Sequence, residues 1–245
     1  MNNFRLVKDS VDTDAIKKEL AVAIAKGNIP ASLGPLLRMD NYKTFFGAKY
    51  VTPHKKSSWL RLVSQYSPYL TPVKLKQACS ENSQFLYTNE FYRFFPITIS
   101  FLKKIAEENS ATLQRVTFAR LLPNENVLPH TDVGEYFKYR DRYHLVIDSK
   151  NGSEFTSGNE KQIFSERELW WFANKEVHSV KNLSDTPRLH IIFDLLPNNH
   201  FNFGQKIFYK IFNSFFQNYT DIFGKEKFAE LVEGNSYLRN ILLKW

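Results

Sequence analysis

The run Pro129-His130-Thr131-Asp132 sets an imidazole and a carboxylate two positions apart. In extended backbone both side chains leave the same face. A second imidazole, His178, comes 48 residues later, just past the aromatic run Trp170-Trp171-Phe172. Two imidazoles and one carboxylate on one side of a metal leave the opposite positions open. That set suits mononuclear non-haem iron(II) centres, whose open positions receive a co-substrate and dioxygen. With six histidines in the chain, a His-x-acid triplet is expected ~0.6 times by chance, so alone it decides nothing.

The surrounding residues add weight. Arg188 stands ten residues after His178 and opens the apolar run Leu189 to Leu196. An arginine on the inner wall of a barrel needs an anion there, and its planar fork fits a carboxylate with two hydrogen bonds. Arg142 and His144 share one face of another strand-like run and could read a second carboxylate, from co-substrate or substrate. Arg188 and His190 likewise share a face, which puts His190 beside the anion pocket.

The elements that must carry these residues are legible as patterns. Residues 113–195 alternate in short runs (LQRVTFARLL, RYHLVID, ELWWF, RLHIIFDLL) separated by turn formers such as LPNEN and KNGSE. Strands without intervening helices predict a sandwich or barrel, the double-sheet jelly roll included. A helix is expected over Val11–Lys26, capped by Asp12 or Asp14, striped by Ile16, Leu20, Ala21 and Ile24, and ended by Gly27. Another is expected from Pro96 to Glu107, and Trp59–Val63 suits a strand. Beyond Phe201 the period changes again. Ile207, Phe208, Ile211, Phe212, Phe215, Phe216 and Tyr219 fall at helical steps, and a second helix is expected over Lys225–Val232. The aromatic stripe reads as a packing face, with dimerisation through the 207–219 helix as the alternative.

Composition bounds the rest. The 245 residues carry 33 Lys+Arg against 25 Asp+Glu, a net charge of +8, with 43% hydrophobic and 16% aromatic residues. So apolar a chain is not disordered. A single cysteine, Cys79, excludes internal disulfides and multi-cysteine metal sites, and reads as an inert thiol. No apolar run reaches the ~18 residues of a membrane span, and the opening residues carry no leader-like run, so a cytoplasmic location is expected. The basic residues are scattered, which points to a solvated cationic surface without a nucleic-acid partner.

Taken together, the strand VTFARLLP leading into VLPHTD, then RYHLVI, then ELWWFANKEVHSVKNLSDTPRLHIIFD, resembles the aspartyl/asparaginyl β-hydroxylase family of iron(II)/2-oxoglutarate-dependent dioxygenases, free-proline hydroxylases included. The resemblance spans about Arg115 to Pro197, a third of the chain. It implies a mainly β fold with flanking helices around a double-stranded β-helix (jelly roll, cupin-like) core. The expected organisation is one domain over 1–200, with its β core at about 113–196, and a helical extension over 201–245. By the resemblance His130, Asp132 and His178 bind Fe(II), Arg188 holds the distal carboxylate of 2-oxoglutarate, and His144 and Arg142 contact carboxylates near the metal. Dioxygen is the oxidant, and the substrate is an amino acid, free or peptidyl. Vertebrate-type members have glycine where Asp132 stands. The acid is shared with the proline-hydroxylase-like members and implies tighter metal retention.

Plainer alternatives exist for each residue. His130 and Asp132 fit a surface turn, and His178 a loop histidine after Glu176. Arg188 could pair with Asp185 or Asp194, Arg142 with Asp141 or Glu135, and His144 could be a satisfied core histidine. Trp170 is expected in the core and Trp171 on the surface. His54 and His200 carry no functional argument. For the whole chain the alternatives are a non-catalytic barrel that binds a metal or small acid, and a basic nucleic-acid-associated protein.

Overall fold

A computed structural model describes residues 2–31, 33, 54, 56–65, 86–132 and 134–200, together with scattered positions between 204 and 235. Eight strands build the core: β4 (Ala111–Leu121), β5 (Asn126–His130), β6 (Asp141–Asp148), β7 (Ser153–Ser157), β8 (Glu160–Phe164), β9 (Leu169–Phe172), β10 (His178–Asn182) and β11 (Arg188–Pro197). Successive strands cross from one sheet to the other, except that β7 and β8 pair as a hairpin. Gly158 at that hairpin takes φ +54°, a conformation that L side chains rarely adopt. Three further strands, β1 (Phe4–Lys8), β2 (Ser57–Gln65) and β3 (Leu86–Thr88), extend the larger sheet to the order β1-β9-β6-β11-β4-β2-β3. The smaller sheet runs β5-β10-β7-β8, and all the pairings are antiparallel. This is the double-stranded β-helix, mainly β with few helices.

The larger sheet is covered on both faces. On one, Phe118, Tyr143, Leu145, Ile191 and Phe193 pack against α1 (Asp14–Ala25) and α2 (Pro96–Glu108). On the other, Leu121, Val146, Trp170 and Phe172 meet Val127, Phe155, Phe164 and Val180 of the smaller sheet. The strict alternation of β11 follows from this: Ile191, Phe193 and Leu195 face the helices, and Arg188, His190 and Asp194 face the barrel.

Both helices lie where the periodicity placed them. In α1 the buried stripe is Ile16, Leu20 and Ala23, while Ala21 is exposed. The helix thus turns Ala23 rather than Ala21 toward α2 and the sheet. Its first turn has no side-chain cap at Thr13, but Asp12 Oδ1 accepts the backbone N–H of Asp14 at 3.0 Å. Trp170 is in the barrel core as expected. Trp171 is only partly exposed, and its indole N–H donates to Asp141 Oδ1 at 3.1 Å. Residues 34–53 and 66–85, Cys79 among them, lie outside the described residues, as do most of 201–245. The described positions of the aromatic stripe, Ile207, Ile211 and Phe215, are helical and exposed. No helix among the described residues is long and apolar enough to cross a membrane.

Candidate metal centre

The antiparallel register of β5 and β10 sets His130 directly opposite His178. Their rings stand 4.3 Å apart between centroids. Asp132 follows β5, and its backbone N–H donates to Asn174 O at 3.1 Å, which ties the end of β5 to the loop before β10. One ligand atom from each of His130, Asp132 and His178 lies within 4.8 Å of the other two. The surface-turn and loop readings of these residues are therefore replaced by convergence.

Each imidazole is oriented by a carbonyl two residues earlier. His130 Nδ1 meets Leu128 O at 2.8 Å, and His178 Nδ1 meets Glu176 O at 2.9 Å. A carbonyl can only accept, so both Nδ1 atoms carry the proton and both Nε2 lone pairs are left for a metal. Asp132 is prepared in the same way. Its Oδ2 accepts from Arg142 Nη1 at 2.7 Å and from Asn174 Nδ2 at 2.9 Å, with Oδ1 left over. Burial would raise the Asp132 pKa, but Arg142, His178 and Asn174 outweigh it and hold the carboxyl below its ordinary value. His178 is lowered to about 4, chiefly by burial, so it is neutral at pH 7 as a metal ligand must be.

Arg142, read from the sequence toward a carboxylate of the co-substrate or substrate, meets two carboxylates of the chain itself. Besides Asp132 it donates from Nε to Asp194 Oδ1 at 2.8 Å and from Nη2 to Asp194 Oδ2 at 3.1 Å. Arg115 Nε adds a further bond to Asp194 Oδ2 at 2.9 Å. Asp141 and Glu135 are not its partners in these contacts. Asp194 and Arg115 therefore support Asp132 at one remove. Asp194 was open to detection, since it shares the parity of Arg188 and His190. Asn174 and Arg115 gave no comparable signal. His54 is a further residue that the sequence did not mark. Its ring lies 4.7 Å from that of His130 and 4.7 Å from that of Trp59. Burial, then His130, lowers its pKa to about 3.

Arg188 forms no pair with Asp185 or Asp194. Asp185 meets Lys150, and Asp194 is taken by Arg115 and Arg142. Arg188 is 3% exposed, with its guanidinium 5.6 Å from the centroid of the Phe155 ring, and its Nε and Nη1 have no partner. Burial pushes its pKa down to about 9, which still leaves a cation at pH 7. An unpaired buried guanidinium is costly, and an anion entering the barrel would relieve that cost. His144 lies between Arg188 and the triad, edge-on to Phe155 and Phe172 at 5.1 and 5.2 Å, with its Nδ1 3.3 Å from that of His190.

The profile of the family described as "Aspartyl/Asparaginyl beta-hydroxylase" matches residues 69–197. L-proline cis-4-hydroxylase of Rhizobium meliloti (strain 1021) is 26% identical over 99 residues, covering 40% of this chain and only 35% of that protein. Among solved structures, a 2OG-Fe(II) oxygenase family oxidoreductase of Burkholderia pseudomallei is 12% identical, with a TM-score of 0.43 over 58% of this chain and 69% of its own. A Cupin 2 conserved barrel domain protein of Salinispora arenicola CNS-205 is 11% identical, with a TM-score of 0.26 over 35% of this chain and 76% of its own. The profile covers more than half of the sequence and includes all three converging ligands, so the chain belongs to the aspartyl/asparaginyl β-hydroxylase family.

Proposed function

We propose that the protein is an iron(II)/2-oxoglutarate-dependent dioxygenase that hydroxylates an unactivated C–H bond of an amino acid, free or within a peptide. The observation that carries this reading is the pairing of a His-Asp-His cluster with a buried, unpartnered arginine inside the same barrel. The donor set fits a ferrous ion: two imidazole Nε2 atoms and one carboxylate oxygen, each group fixed by a hydrogen bond at its other atom. The orphaned Nε and Nη1 of Arg188 fit the far carboxylate of a keto-diacid.

In this reading His130, Asp132 and His178 would hold the metal, and Arg188 would hold the distal carboxylate of 2-oxoglutarate. His144 lies along the path between them. Arg142 contributes through Asp132, holding Oδ2 so that the carboxylate cannot rotate away from the metal. The bound metal and co-substrate supply the chemistry: substrate, dioxygen and 2-oxoglutarate give hydroxylated product, succinate and carbon dioxide. The chain's part is orientation and dryness. Phe155, Phe164 and Phe172 wall the barrel with apolar rings, and Phe155 and Phe164 stack at 3.9 Å.

The test is iron-dependent release of succinate from 2-oxoglutarate, screened against free amino acids and short peptides, with mass detection of one added oxygen. Anaerobic protein given iron(II) and 2-oxoglutarate should develop a weak visible charge-transfer band. Folded protein that yields neither the band nor succinate would refute the reading.

A further inference from the structure

Among the described residues, four buried side-chain polar atoms lack a hydrogen-bond partner: Thr13 Oγ1, Arg188 Nε and Nη1, and His190 Nε2. Thr13 precedes α1, outside the barrel. The other three belong to Arg188 and His190, which share the inner face of β11. An anion accounts for the arginine atoms, whereas His190 Nε2 needs its own explanation. It comes from the neighbouring imidazole.

His144 on β6 faces Ile192, and His190 on β11 faces Val146, so the two histidines are diagonal neighbours on the inner face of the larger sheet. Their Nδ1 atoms stand 3.3 Å apart. Two neutral imidazoles form that bond only if one Nδ1 carries the proton and the other does not. If His144 were the donor, His190 would carry its proton on Nε2. That would leave a buried N–H without an acceptor, near the Arg188 cation whose charge acts on it. If His190 is the donor, its Nε2 is a bare lone pair, which the positive field of Arg188 favours. An orphaned buried N–H is also rarer than an orphaned acceptor. His144 then carries its own proton on Nε2, an atom that is not among the sealed, unpartnered ones.

We infer that His190 is a positioning residue: its Nδ1–H locks His144 in the Nε2–H tautomer, so that His144 offers a hydrogen-bond donor to a carboxylate of the bound co-substrate. The inference deepens the 2-oxoglutarate reading and rests on it for the identity of the anion. The tautomer assignment itself does not. Phe155 and Phe172 hold the His144 ring edge-on, which keeps that N–H in a fixed direction.

Long-range proton–nitrogen spectra of the ligand-free, 15N-labelled wild type test the tautomers directly. His144 should show the proton on Nε2 and His190 on Nδ1; the reverse pattern overturns the inference. Calorimetric titration of 2-oxoglutarate into Mn(II)-loaded protein tests the consequence. His190→Leu should bind about tenfold more weakly, the loss of one hydrogen bond to a charged group. His190→Asn keeps an amide N–H near the Nδ1 position and should recover most of the affinity, with Mn(II) affinity unchanged in both variants. Wild-type affinity in His190→Leu, or no rescue by a folded His190→Asn, overturns it. Wild type that takes up Mn(II) but no 2-oxoglutarate would remove the co-substrate reading, and the spectra alone would then judge the tautomer.

Discussion

Arg142 and Arg188 lie on adjacent strands of one sheet, on the same inner face, the first largely and the second fully buried, yet their surroundings are opposite. Arg142 is matched by Asp132 and Asp194, and Arg115 completes the cluster. These carboxylates raise the Arg142 pKa against the effect of burial, and Arg142 and Arg115 in turn hold Asp194 below its ordinary value. Arg188, six positions before Asp194 and roughly 20 Å away along β11, meets no carboxylate among the described residues. Burial alone acts on it and lowers its pKa. The difference separates two kinds of buried charge. At the end of the His-Asp-His triad the chain completes its own electrostatics. At the far end it leaves a cation that no described residue matches.

The largest effect expected is at the finished end. His178→Ala or Asp132→Ala removes one of the three donors, and iron-dependent succinate release should fall below detection. Mn(II) affinity, followed by calorimetry, should drop by more than the 10- to 100-fold typical of losing a residue behind a ligand. Wild-type Mn(II) binding in Asp132→Ala would break the assignment of this end as the metal site.

The arginines themselves give the sharpest contrast, because their variants should move stability differently. Arg142→Met leaves Asp132 and Asp194 short of a cation, and breaking a buried pair costs about 3–5 kcal/mol. Arg188→Met removes a buried charge that has no partner, so the metal-free protein should be as stable as wild type or more so. Urea midpoints of the two metal-free variants measure this. The same Arg188→Met protein should lose about 100-fold in 2-oxoglutarate affinity, within the ~2–5 kcal/mol of a buried charge pair that loses one member. Equal destabilisation by both substitutions would erase the distinction between a completed end and an open one.

Much of this contrast was legible in the residues, and the limits of legibility are physical. Local alternation put His130 with Asp132, Arg142 with His144, and Arg188 with His190 on shared faces, because successive side chains of a strand leave opposite sides. The β core was read as about 113–196, and β4 and β11 carry it over 111–197. Alternation says which face a residue takes but not whom it meets there. Arg142 was therefore read toward an external carboxylate, although its partners Asp194 and Asp132 come from β11 and from the end of β5. Asn174 acts from a loop with no periodicity. His54 reaches the site from the turn before β2, where its backbone O accepts from Ser57 N at 2.9 Å, far from the triad in sequence. Such contacts are tertiary.

A smaller effect should come from Asn174→Ala. It strips one of the two donors from Asp132 Oδ2 while Arg142 keeps the other. Mn(II) affinity should weaken about tenfold, at the low end of the range for a residue behind a ligand, and the urea midpoint should change by less than in Arg142→Met. A loss as large as that of Asp132→Ala would mean that Asn174 orders the whole loop before β10, and the finished end would then depend on backbone rather than on paired charge.

The open end can be probed by pH with no ligand present. Burial, reinforced by Arg188, puts the pKa values of His144 and His190 well below 6.5, while in the unfolded chain they return to about that value. Below about pH 6.5 the unfolded chain therefore binds protons that the folded barrel refuses. Stability of the metal-free protein is full above that pH and is lost as pH falls, by up to about 1.4 kcal/mol per pH unit for each of these histidines. Asp132 and Asp194 stay ionised in both states until about pH 5, so they do not mask the slope in that window. His178 and His54 are also lowered by burial and steepen it. His190→Asn removes one titrating ring, so its urea midpoints between about pH 6.5 and 5 should follow a line shallower by nearly one proton than wild type. An unchanged slope would mean that His190 is protonated in the folded protein, and a cation there, beside Arg188, would require an anionic partner already within the chain.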